Sequence, residues 1–121
     1  MNMKALIVDD DPLVRKLLSF NLLESGHTIA AVGNGQDAIT ALESGNTFDV
    51  VIVDVMMPRL SGPSFLMKLK HYFHDKMPKI IIVSGLNNGE AFLQQLDTHY
   101  DYFVPKPIDF GYLNGLLKEI A

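Results

Sequence analysis

The sequence predicts an α/β fold, a doubly wound five-stranded parallel sheet covered on both faces by five helices. Two observations carry that expectation. Short apolar runs such as Val50-Val51-Ile52-Val53 and Ile80-Ile81-Ile82-Val83 lack polar alternation, as strands buried on both faces do. Between the runs, apolar residues recur at helical spacing and are bounded by Asp, Asn, Ser, Gly or Pro.

The first run, 4–8, is closed by Asp9-Asp10-Asp11 and Pro12. Asp11 then falls at an N-cap and Pro12 in the first helical turn, where a missing N–H costs nothing. The helix is expected to reach about Glu24, because Val14, Leu17, Leu18 and Leu22 keep helical spacing and Ser25-Gly26 stops it. A second strand covers 28–32, Asn34-Gly35 turns the chain, and Ala38, Ile39, Ala41 and Leu42 mark a second helix ending at Ser44-Gly45-Asn46. The third strand, 49–53, delivers Asp54 at its carboxyl end, with Pro58 forbidding a long continuation. After the loop at Arg59-Leu60-Ser61-Gly62, a third helix carries Phe65, Leu66 and Leu69 inward. The fourth strand, 79–83, ends at Ser84-Gly85, and a fourth helix over 89–98 shows Ala91, Phe92 and Leu96 on one face. The last strand, 101–104, closes at Pro105-Lys106-Pro107, and Asp109 caps a final helix with Leu113, Leu116, Leu117 and Ile120 inward.

Composition narrows the function classes. A chain of 121 residues suits one domain with a real core. A net charge of −4 argues against direct nucleic-acid binding. The absence of cysteine excludes disulfides, thiolate chemistry and Cys-based zinc sites. Acids interrupt the N-terminus too early for a signal peptide, and no apolar run approaches the ~20 residues of a membrane span. A cytoplasmic domain with no membrane association is expected.

In doubly wound sheets, ligands bind outside the carboxyl ends of the strands, where the strand order reverses. The polar residues at those ends are Asp9, Asp10, Asp54, Ser84 and Lys106. Clustered carboxylates repel, each pair about 4 Å apart costing on the order of 4 kcal/mol at an effective dielectric of about 20. Such a cluster persists when something positive sits in it or function requires it. Oxygen ligands without Cys or His favour a hard cation, foremost Mg²⁺. A metal, a lysine, a hydroxyl and a carboxylate nucleophile together suit phosphoryl transfer. Taken singly, Asp54, Asp9 and Asp10 are ordinary caps, Ser84 a turn former and Lys106 a surface lysine. All five at strand ends by chance is improbable.

With Asp9-Asp10, the Asp54-Val55-Met56-Met57-Pro58 segment, Ser84 after Ile-Ile-Ile-Val, and Lys106-Pro107 in place, the chain resembles the receiver domain of two-component response regulators over essentially its whole length, including the single-domain chemotaxis regulators. The spacings match that family without gaps. The resemblance implies a flavodoxin-like fold with strand order 2-1-3-4-5. It implies a phosphoacceptor at Asp54 rather than a turnover enzyme, charged by a sensor histidine kinase or histidine phosphotransfer protein. Mg²⁺ would be held by Asp10, Asp54 and the Met56 backbone oxygen, with Asp9 acting through water. Ser84 and Lys106 would contact phosphoryl oxygens, and the Lys106–Pro107 peptide would be cis. A downstream protein target would read the surface of the fourth helix, fifth strand and fifth helix, with Ser84 and Phe103 as switch residues. The domain would be a monomer or a weak phosphorylation-dependent dimer.

The sequence departs from the family pattern in places. Ser84 stands where Thr is commoner, and Gly85 replaces a small Ala, loosening the following loop. Phe103 stands at the switching aromatic, often Tyr, so any switch relies on packing alone. Pro105 removes a donor from the last strand, which an edge tolerates. Gly111 and Gly115 weaken the final helix by about 0.5–1 kcal/mol each. Met56 and Leu86 lie two residues beyond the acceptor and the hydroxyl, where the family's side chains flank the hydrolytic water's path. Two apolar groups there imply a long-lived phospho-aspartate.

Other features read as structure. His71 and His74 are solvated helix-end histidines, and Lys68, Lys70, Lys76 and Lys79 follow a helix C-terminus favoured by its dipole. Phe92, Tyr100 and Tyr112 are scattered aromatics that need no partner. An aspartate-nucleophile phosphatase is disfavoured because that chemistry wants an acid where Met56 stands. Two alternatives stay open: an N-terminal receiver fragment of a longer regulator or hybrid kinase, and an interaction module that takes no phosphate.

Overall fold

A computed structural model describes residues 2–45, 47–54, 68–71, 77–85 and 100–121. Its five parallel strands are β1 (Lys4–Val8), β2 (Thr28–Val32), β3 (Val50–Asp54), β4 (Lys79–Ser84) and β5 (Tyr102–Pro105). They lie in the order β2-β1-β3-β4-β5. Helices α1 (Pro12–Glu24) and α2 (Gly35–Glu43) connect the first three strands, and a C-terminal helix, Phe110–Ile120, closes the chain. Residues 68–71 are helical, at the end expected for the third helix. Residues 55–58, the 59–62 loop, Phe65, Leu66, His74, Lys76, Leu86 and the helix expected over 89–98 with Ala91, Phe92 and Leu96 lie outside the described residues.

The apolar runs are strands with two buried faces. Leu6, Val8, Val51, Val53, Ile80 and Ile82 pack with Ala38, Ile39 and Leu42 of α2 and with Leu69. The intervening Ala5, Ile7, Val50, Ile52, Ile81 and Val83 pack with Leu18 and Leu22 of α1 and with Leu113, Leu116 and Leu117 of the C-terminal helix. A period of two written entirely in apolar residues is what a sheet between two helical layers requires.

Local chemistry sets the helix ends. The Asp11 side chain accepts from the N–H groups of Leu13 and Val14, with Pro12 opening α1. Past Ser25, Gly26 takes φ +90°. The N–H of His27 then bonds Leu22 O and that of Gly26 bonds Leu23 O, closing a Schellman cap. Asn34 does more than turn the chain, because its side chain caps α2 through the Asp37 N–H. Asp109 caps the C-terminal helix through the Tyr112 N–H.

Helical spacing alone does not give burial on α1. Leu17 is 47% exposed, as are Leu13, Phe20 and Leu23 to comparable degrees. A helix lying on one sheet face buries only a stripe, here Leu18 and Leu22 with Val14 partly covered, and α1 carries more leucines than that stripe can take. Across the helical layer, Asn21 and Asn114 exchange two amide hydrogen bonds of 2.8 and 3.2 Å, clasping α1 to the C-terminal helix.

At the amino ends of the strands, carboxylates serve the backbone. Asp49 Oδ2 accepts the Lys4 N–H at 2.8 Å, and Asp101 Oδ2 accepts the Ile80 N–H at 2.8 Å. At the other end β5 lies at the sheet edge, where Pro105 opposes Ser84. The donor that Pro105 lacks is supplied one residue later, by the Lys106 N–H to Ser84 O at 2.9 Å.

Candidate functional site

The site is built by register. Val8 pairs with Val53 and Asp54 with Val83, so Asp9 leaves β1 level with Asp54 on the neighbouring strand. The alternation that turns Ile7 and Ile52 toward α1 brings these acids to the same side. Asp54 is the last residue of β3 and Ser84 the last of β4, one position beyond the sequence-based limits. Both stay within the strand because a parallel ladder has no reason to stop at a polar side chain whose backbone still finds a partner.

Asp9, Asp10 and Asp54 converge, with one carboxylate oxygen of each within 4.8 Å of the others. Asp9 and Asp54 are buried, whereas Asp10 is exposed. Lys106 reaches back over them, its Nζ 3.0 Å from Asp9 Oδ2 and 3.1 Å from Asp54 Oδ2. Burial by itself would lower the Lys106 pKa, but the contacts with Asp9 and Asp54 and their negative charges outweigh it and hold the ammonium above its ordinary value. Ser84 is buried on the strand beside Asp54, tied to Lys106 through its carbonyl. The Lys106–Pro107 peptide is cis.

The loop after β1 is pinned from several directions. The Asp9 N–H bonds Val32 O at 3.2 Å, and Asp9 Oδ1 accepts the Asp11 N–H at 2.9 Å. The Asp9 carbonyl accepts Arg15 Nη1 at 2.9 Å. Asp9 Oδ2 is buried and accepts no aligned hydrogen bond; its partner is the Lys106 charge. Among the described residues one lysine faces three carboxylates, which leaves acidic charge in excess, and a buried carboxylate oxygen without an aligned donor is what a hard cation relieves. The donor set therefore fits Mg²⁺.

Of the residues singled out from sequence, the structure brings together Asp9, Asp10, Asp54 and Lys106, and sets Ser84 on the adjoining strand end. Phe103 lies apart, half-buried against the α2-side core. Met56 and Leu86 lie outside the described residues. Arg15 and Gly33 went unremarked, although an arginine in the second turn of α1, so near three consecutive acids, was a signal that could have found the first of them.

A family model for the response regulator receiver domain matches residues 5–118. Among relatives, the chain is 32% identical to the response regulator MprA of Mycobacterium ulcerans, over 99% of this chain and 50% of that protein. It is 26% identical to the transcriptional regulatory protein TcrA of Mycobacterium tuberculosis, over 98% of this chain and 46% of that protein. The chain thus spans about half the length of the curated relatives it matches. Among solved structures, it is similar to a CheY-like receiver domain from Methylobacillus flagellatus, at 30% identity and TM-score 0.84 over 100% of both chains. It is also similar to the response regulator TrrA of Thermotoga maritima, solved in complex with Mg²⁺ and BeF, at 30% identity and TM-score 0.81 over 98% of both chains.

Proposed function

The chain belongs to the response regulator receiver domain family, and from that premise we propose that it takes a phosphoryl group from a phosphohistidine onto Asp54. The observation that carries this reading is the convergence of Asp9, Asp10 and Asp54 under Lys106 at one end of the sheet. In the transfer, an Asp54 carboxylate oxygen bonds to phosphorus as the P–N bond breaks. The bonding pair stays on the imidazole nitrogen of the donor. Lys106 and the Ser84 hydroxyl serve the phosphoryl oxygens, Lys106 as a charge and Ser84 as a donor. Asp10, Asp54 and the Met56 carbonyl would hold Mg²⁺, with Asp9 acting through water, and the ion would offset the charge that builds on the phosphoryl oxygens.

The donor is a sensor histidine kinase or a histidine phosphotransfer protein, and the output is a changed surface around β5 and the C-terminal helix, with Ser84 and Phe103 as the switch. Phe103 has no hydroxyl, so its two positions differ in packing alone. The protein works as a phosphoacceptor, assisting its own phosphorylation and dephosphorylation without turning over a separate substrate. A second reading, that of a receiver at the N-terminus of a longer regulator or hybrid kinase, is favoured by the half-length coverage of MprA and TcrA.

The test is incubation with acetyl phosphate and Mg²⁺, followed by phosphate-affinity electrophoresis. Wild type is expected to shift and Asp54→Asn to stay unshifted. A wild type that takes no phosphate, or an Asp54→Asn protein that takes as much, overturns the reading and leaves the module that takes no phosphate. In the same assay, a pulse and chase of Met56→Asn is expected to lose phosphate faster than wild type. An unchanged decay removes Met56 from the control of hydrolysis.

A further inference from the structure

We propose that Arg15 is a positioning residue for the divalent cation. It fixes the peptide between Asp9 and Asp10, and it packs against Gly33. The inference rests on the reading of the site as a Mg²⁺-dependent phosphoacceptor.

Arg15 stands in the second turn of α1, beside Asp9, Asp10 and Asp11, yet among the described residues its guanidinium makes no ion pair with any of them. Its Nη1 donates instead to the Asp9 backbone carbonyl at 2.9 Å. That carbonyl belongs to the peptide whose nitrogen is Asp10, so holding its plane limits where the Asp10 carboxylate can swing. Asp9 is already tied by its own N–H and by Oδ1. Asp10 is exposed and depends on that peptide for its aim. By spending its charge on a carbonyl, Arg15 orders the loop without competing for the carboxylates. A charged donor to a carbonyl is stronger than a neutral one, and outer partners of this kind orient the ligands of metal sites.

The same nitrogen lies against Gly33, in the turn between β2 and α2. A Cβ added at Gly33 would stand 3.0 Å from Arg15 Nη1 and 3.7 Å from Cζ. The atom in the way is the far end of a flexible side chain, so Gly33→Ala shifts the guanidinium by a few tenths of an ångström and leaves the backbone where it is. That variant displaces Arg15 and keeps its charge.

The sign of the effect separates position from charge. Removing a positive charge beside a cation site strengthens cation binding if charge is all that matters. Removing a group that aims a ligand weakens it, typically by about 10–100-fold. Mg²⁺ titration calorimetry on wild type, Arg15→Met, Gly33→Ala and the double variant reads this directly, with thermal denaturation confirming that each is folded at the titration temperature. The expected result is a weakening of about tenfold or more for Arg15→Met, a smaller weakening for Gly33→Ala, and no further loss when Gly33→Ala is added to Arg15→Met. Binding by Arg15→Met that equals or exceeds wild type overturns the assignment, and so does an additive loss in the double variant. Should Arg15→Met fold poorly, Arg15→Gln is titrated in its place, and an affinity equal to wild type overturns the proposal. A wild type that binds no Mg²⁺ would overturn the phosphoacceptor reading itself, an outcome distinct from a wild type that binds while the variants match it.

Discussion

Lys106 carries an unusual burden for one side chain. Among the described residues it alone sets a positive charge against the buried acids Asp9 and Asp54, at 3.0 and 3.1 Å. Replacing it by methionine keeps much of the stem's volume and removes the ammonium that faces two carboxylates in a poorly solvated place. Breaking a buried pair by removing one partner costs up to about 3–5 kcal/mol; the partial exposure of Lys106 reduces that, so Lys106→Met is expected to lose about 1–3 kcal/mol in urea unfolding with EDTA present. Added Mg²⁺ should narrow the gap, because a second cation then takes the place of the first. Equal stability of the two proteins in EDTA would show that the lysine is incidental to the acids. Residue identities of this kind were legible from the sequence because each stood directly after an apolar run. Arg15 was not, since nothing in its spacing tells whether an arginine will choose a carboxylate or a carbonyl.

At the scale of elements, caps and strands were legible wherever a local rule decides them. Asp11, Asp109 and Gly26 sit where N-cap and αL chemistry put them. The exposure of Leu17 was not legible, because helical spacing says which residues share a face, whereas burial depends on how many faces a neighbour covers. The Asn21–Asn114 clasp belongs with Leu17, for a contact between residues 93 apart leaves no periodic trace. A reciprocal amide pair is a self-contained unit, and a double-mutant cycle with Asn21→Ala and Asn114→Ala is expected to give a coupling of about 0.5–1.5 kcal/mol, with either single variant costing about as much as both. Independent, additive losses would mean that each amide is satisfied elsewhere.

For the molecule as a whole, a cation that binds only the folded chain must stabilise all of it. At a Mg²⁺ concentration of about 100 times Kd the gain is about 2.7 kcal/mol, which for a domain of this size raises Tm on the order of 10 °C. Thermal scans in EDTA and in Mg²⁺ measure it, and Asp10→Asn is expected to remove most of the rise. A Tm indifferent to Mg²⁺ would contradict the fit of the acids to a metal. The sheet itself explains why the acids at that end need a cation. Parallel strands present N–H groups at their beginnings and carbonyl oxygens at their finishes. At the first edge, Asp49 and Asp101 find donors ready in the Lys4 and Ile80 amides. At the opposite edge, Asp9 and Asp54 meet Lys106 instead. The two edges thus answer the same side chain differently: an acid at the starting edge is satisfied by the strand itself, while an acid at the finishing edge depends on a cation brought to it.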